Sequence, residues 1–158
     1  MKKTDANQPT SVLSSPVNQV TFRVRYAETD AMGIVHHSRY LPWMELGRTE
    51  LLRQIGFSYR QSEADGFFFP LIEATCRYHA PARYDDLVMV ETSIKKIRPP
   101  YIEFQYRIYR EPDHRLLVTG ETKQVCVNKE GALRREPLRK MQLALNTPTQ
   151  HNGCFSSE

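Results

Sequence analysis

No apolar run in the 158-residue sequence approaches the ~20 residues that a helix needs to cross a bilayer. The N-terminus, MKKTDANQPTSVLSSPVNQ, carries two lysines but no continuous apolar core, so it does not read as a secretory signal. A cytoplasmic location is the default expectation. Cysteine is scarce: Cys76, Cys126 and Cys154 show no close pairing and no CxxC spacing, and reduced thiols are the simplest reading. A zinc motif is absent too, because His36 and His37 lack acidic or cysteine partners at ligand spacing and His79 stands alone. There is no glycine-rich phosphate loop, no G-x-S-x-G elbow and no kinase signature. Aromatic residues do not interleave with basic ones in the manner of a nucleic-acid module, so no nucleic-acid partner is expected.

What is present suits one globular domain. A chain of this length buries roughly two-thirds of its surface on folding, and 40% hydrophobic with 25% charged residues is an ordinary balance. The net charge of +4 is spread over short groups: Arg23 with Arg25, Lys95 with Lys96 and Arg98, and Arg134, Arg135, Arg139 and Lys140. Most read as solvated faces of strands and loops. The other reading is that one or two groups meet the phosphates of a nucleotide-bearing substrate.

Residues 1–18 and 146–158 are rich in small and polar residues and read as disordered tails, leaving 19–145 as the working domain. VTFRVRYA alternates, with Val20, Phe22, Val24 and Tyr26 on one side, as a half-buried strand does. A polar turn, ETDAMG, leads into SRYLPWMELGRTELLRQIG, where Leu41, Met44, Arg48, Leu51, Leu52 and Ile55 recur at helical spacing. Ser38 can cap this helix and Gly56 can end it. Strand-like segments follow at Leu71–His79, Leu87–Ile97, Tyr101–Arg110 and Leu116–Asn128, read as a four-stranded meander. Pro137 opens a short terminal helix. One long helix on one face of a five-stranded antiparallel sheet is an α+β design. Such a sheet leaves an edge unprotected, which predicts a dimer that continues it.

The chemistry concentrates in Tyr26-Ala-Glu-Thr-Asp30-Ala-Met-Gly33-Ile-Val-His-His37-Ser-Arg-Tyr40. Asp30 falls in a loop between a strand and the start of the long helix, and Gly33 permits the tight backbone path. The first N–H groups of a helix lack internal acceptors and sit at the positive end of its dipole, so they can hold an oxyanion. A carboxylate beside them can attack a carbonyl, or deprotonate water that does. Asp before a helix is also a common cap or turn residue, and spacing alone leaves both readings open.

The motif Y-x-E-T-D-x-x-G-I-V-x-H-x-x-Y followed by M-E-L-x-R-x-E-L-L resembles the 4-hydroxybenzoyl-CoA thioesterase family of hotdog proteins. Within it, the sequence is most similar to the bacterial short-chain acyl-CoA thioesterases related to the Tol–Pal-associated enzyme. F-x-x-P-L-I-E around Pro70, R-Y-H-A-P-A-R-Y-D-D-L-V from Arg77 to Val88, and V-C-V-N extend the resemblance over all but the tails. It implies a hotdog fold, a long central helix wrapped by a five-stranded antiparallel sheet, and hydrolysis of an acyl-CoA to a free acid and coenzyme A. It implies Asp30 as nucleophile or general base, and the backbone N–H of His37 as oxyanion donor. The His37 side chain either assists catalysis or holds the loop. Glu28 supports the loop rather than reacting, and Glu45 is a second carboxylate to test, with Arg48 as its ordinary helix partner. Lys96 and Arg98, then Arg134 and Arg135, are candidates for the coenzyme A phosphates. Phe69 and Pro70, in the Phe67-to-Pro70 run, are candidates to line an acyl pocket at a dimer seam, or core. No metal or bound cofactor is required. A homodimer or homotetramer is implied. The alternatives are a non-catalytic module binding acyl-CoA or acyl carrier protein, and a thioesterase acting on acyl carrier protein.

Overall fold

The computed structural model describes residues 15–147; the expected tails at 1–14 and 148–158, with Cys154, lie outside the described residues. The elements are β1 (Val17–Arg23), α1 (Tyr40–Gln54), α2 (Tyr59–Ala64), β2 (Leu71–Tyr78), β3 (Leu87–Arg98), β4 (Tyr101–Glu111), β5 (Arg115–Val125) and α3 (Glu136–Asn146). The first strand starts inside the expected tail and ends earlier than its alternation suggests. Tyr26 opens a 3-10 turn, Tyr26–Glu28, and stands 78% exposed instead of joining the core.

The five strands form one antiparallel sheet in the order β1-β3-β4-β5-β2. Only β3, β4 and β5 form the expected meander. β2 lies on the far edge beside β5, so residues 79–86 must cross the end of the sheet to reach β3. Alternate residues of the central strands, among them Val88, Val90 and Ile94, Ile102, Phe104 and Ile108, are buried. They face α1, which buries Tyr40, Trp43, Met44, Gly47, Arg48, Leu51 and Leu52. The helical stripe is therefore rotated slightly from its sequence reading: Leu41 is exposed, and Tyr40, Trp43 and Gly47 take up contact with the sheet.

The two ends of α1 are closed differently. At its C-terminus Gly56 has φ +83°, Gly56 N–H donates to Arg53 O and Phe57 N–H to Leu52 O, the paired bonds of a Schellman cap. At its N-terminus Ser38 is not the cap. A 3-10 turn, His37–Arg39, precedes the helix, and the His36 Nδ1 accepts from Ser38 N–H at 3.3 Å. The short helix α2 was not foreseen; Ser58 caps it by accepting from Gln61 N–H.

Candidate active site

The loop from Thr29 to His36 is folded back on itself. Asp30 N–H donates to Ile34 O at 2.8 Å, and Gly33 N–H donates to Asp30 O at 2.9 Å. Gly33 sits at φ +73°, a region that side-chain-bearing residues seldom enter. The Asp30 carboxylate accepts from Met32 N–H at 2.8 Å through Oδ1. The turn role and a reactive role are thus not exclusive, since the second oxygen stays free of that bond. The loop rests on the segment that crosses the sheet end: Val35 N–H donates to Ala82 O, and Ile34 pairs with Arg83. The unexpected strand order therefore supplies the floor of the site.

Glu28 anchors the loop to the helix from beneath. It is 4% exposed, accepts from Arg25 N–H at 2.8 Å and Trp43 Nε1 at 3.0 Å, and pairs with the Arg25 guanidinium at 3.1 Å. Burial alone would raise its pKa, but these donors hold the carboxyl below its ordinary range. Enclosed and engaged by three hydrogen bonds, it braces the loop.

Asp30 and His37 line one cavity of about 380 Å³, together with Met32, Ile34, Val35, Tyr40 and the run Tyr78 to Pro81. The His37 N–H, at the entrance to the helix, meets no acceptor among the described residues. The site thus combines a half-buried carboxylate, an unpaired helix-entry amide and a mostly apolar wall. That set suits attack on a carbonyl whose oxygen gains charge.

The sequence model of the thioesterase-like superfamily matches residues 24–145. The chain belongs to that superfamily. Among its relatives, the putative acyl-CoA thioesterase YneP of Bacillus subtilis is 38% identical over 72% of this chain and 82% of its own length. The acyl-CoA thioester hydrolase YbgC of Escherichia coli is 38% identical over 67% of this chain and 78% of its own. The crystal structure of protein TT1821 from Thermus thermophilus superposes with a TM-score of 0.75 at 34% identity, covering 84% of this chain and 100% of that one. The five-stranded sheet and its long helix are the hotdog fold of this thioesterase superfamily.

Other residues singled out from the sequence lie elsewhere in the thioesterase domain. Glu45 is largely exposed on α1, 3.7 Å from Arg48, and does not line the cavity. Phe69 packs edge-on against Phe57 and Tyr59 at 5.6 and 5.9 Å, so it belongs to the margin of the core. Pro70 is exposed, and its carbonyl accepts from Val125 N–H. Lys96 and Arg98 are exposed at the end of β3 opposite the Asp30 loop, roughly 30 Å away at ~3.3 Å per residue. Arg134 and Arg135 lie just before α3, away from the cavity. Arg83 is the cation the sequence reading missed. Its guanidinium lies over Gly33, 3.9 Å from where a Cβ there would stand. Tyr40 and Tyr78 were missed as cavity walls because nothing in a linear spacing aims an edge strand at a helix start.

Proposed function

We propose that this thioesterase hydrolyses an acyl-CoA to a free carboxylic acid and coenzyme A, with Asp30 as the essential carboxylate. The observation that carries the reading is the shared cavity, lined by both Asp30 and His37, the residue whose N–H at the helix entrance is unpaired. As general base, Asp30 takes a proton from water while the water oxygen adds to the thioester carbon. As nucleophile, it forms a mixed anhydride that water then opens. In either route the carbonyl oxygen gains charge that His37 N–H stabilises, the C–S bond breaks, and the thiolate of coenzyme A leaves and is protonated. The His37 ring, exposed at the cavity mouth, stands 4.1 Å from that of His36 and serves to hold the entrance or to shuttle a proton.

The site is completed in this reading by a homodimer. β2 is exposed at every residue but Cys76, and it presents Leu71 and Ile72 at a free edge. Antiparallel pairing of two such edges makes one ten-stranded sheet. It also sets the Phe69–Pro70 end of one chain beside the Tyr78 end of the other. The same pairing turns the far-end cations Lys96 and Arg98 of one chain toward the site of the other, where they are available to coenzyme A phosphates.

The test is turnover of an acyl-CoA panel by free-thiol detection. Asp30→Asn is expected to bind substrate normally and to lose at least about 10²-fold in kcat. Near-wild-type turnover in Asp30→Ala removes the assignment. Hydrolysis of acyl carrier protein thioesters with none of acyl-CoA would move the carrier, not the chemistry.

A further inference from the structure

The cavity wall facing the loop is built by a residue 41 positions away in sequence. Tyr78, the last residue of edge strand β2, donates its hydroxyl to the His37 carbonyl at 3.0 Å. Its ring meets that of Tyr40 edge-on at 5.5 Å, and Tyr40 meets Trp43 in the same way at 4.8 Å. Trp43 is in turn fixed by Glu28 beneath the loop. Tyr78 is half-exposed, but its hydroxyl is engaged and its ring ends a braced aromatic row. It reaches the chain at the 3-10 turn that precedes α1. The peptide joining His37 to Ser38 is gripped at both ends, its carbonyl by Tyr78 and its N–H by His36 Nδ1. The His37 N–H lies in the preceding peptide, whose carbonyl accepts from Arg39 N–H at 2.9 Å, and it is joined to the gripped peptide through the φ and ψ of His37.

We propose that Tyr78 is a positioning residue for thioester hydrolysis, holding the His37 backbone so that its N–H stays aimed at the thioester oxygen. The inference rests on the Asp30–His37 reading above. Burial, reinforced by Cys76, pushes the Tyr78 hydroxyl up to about 12, so it stays a donor across the working pH range. Its proton is already engaged by the His37 carbonyl, which sets it apart from a general acid for the leaving thiolate.

The variant Tyr78→Phe keeps the ring and its packing and removes only the hydroxyl. Deleting an oxyanion donor outright costs about 10²–10³ in kcat; a misaimed donor should lose part of that, about tenfold, with KM within about twofold. The pH profile of kcat should keep its shape. Backbone amide resonances of His37 and Ser38 should shift while those of α3 do not. An unchanged kcat, a loss confined to KM, or unmoved His37 and Ser38 amides would each overturn the proposal. So would loss of the alkaline limb, which would make Tyr78 an acid in the reaction. The two readings fail separately. Retained turnover in Asp30→Asn sinks the carboxylate assignment whatever Tyr78→Phe does, and unmoved amides sink the positioning role even if Asp30→Asn is inert.

Discussion

Two carboxylates two residues apart meet different surroundings here. Asp30 keeps one oxygen in the turn and faces a cavity. Glu28 is enclosed and accepts three hydrogen bonds from Arg25 and Trp43. Because its pKa is depressed in the folded state, Glu28 stabilises the protein fully above its unfolded value. That contribution is lost as pH falls through the lower folded value. Thermal melts should therefore show the wild-type midpoint dropping more steeply than that of Glu28→Gln as pH falls below the ordinary carboxylate range. At neutral pH the variant should be less stable by about 1–3 kcal/mol, since its amide must turn a donor toward one of the donors the carboxylate accepted. A parallel drop in both proteins would show that Glu28 is not linked to folding. The sequence made the Asp30 loop legible because its chemistry is local: a carboxylate, a glycine for the turn, and a helix start. Tyr78 was not legible for the opposite reason. Its role exists only once an edge strand has been carried across the sheet to the helix entrance.

At the level of elements, alternation and helical spacing recovered the long helix and all five strands. They failed where contact was decided by the partner surface. The helix turns Gly47, not Leu41, toward the sheet because the space is too small for any side chain. A Cβ at Gly47 would stand 2.9 Å from Val90 Cγ1 and collide with the Thr92 hydroxyl, which is itself buried without a partner. Two effects of Gly47→Ala therefore oppose each other. Helix propensity favours alanine by about 1 kcal/mol, while overpacking costs about 1–3 kcal/mol. The steric cost should win, so chemical denaturation is expected to show a net loss of up to about 2 kcal/mol. The displacement should also lower kcat, because α1 follows directly on the turn of His37, the oxyanion donor proposed above. A stabilised Gly47→Ala would mean that the helix can move away from β3 freely.

At the scale of the molecule, the strand order shapes the site and leaves one edge strand open. Placing β2 beside β5 sends residues 79–86 across the sheet end, where Ala82 and Arg83 pin the Asp30 loop. The same placement leaves β2 as an open edge. A meander, as the spacing of segments suggested, would have put β2 beside β3 and supplied neither feature. Lys96 and Arg98 lie at the end of β3 opposite the Asp30 loop of their own chain, a placement that a run of residues does not reveal. If the edge closes a dimer, wild-type protein should sediment at twice the 18.4 kDa chain mass or a multiple of it. Ile72 is 52% exposed on that edge, and with its end of β2 set beside the Tyr78 end of the other copy, a lysine there should fall near Arg77 of the partner subunit, a like charge. Ile72→Lys is therefore expected to shift the species toward monomer and to lower activity with it, although Ile72 does not line the cavity of its own chain. Activity that survives in a sedimenting monomer would separate the two, leaving a site complete in one chain and an edge protected by something else.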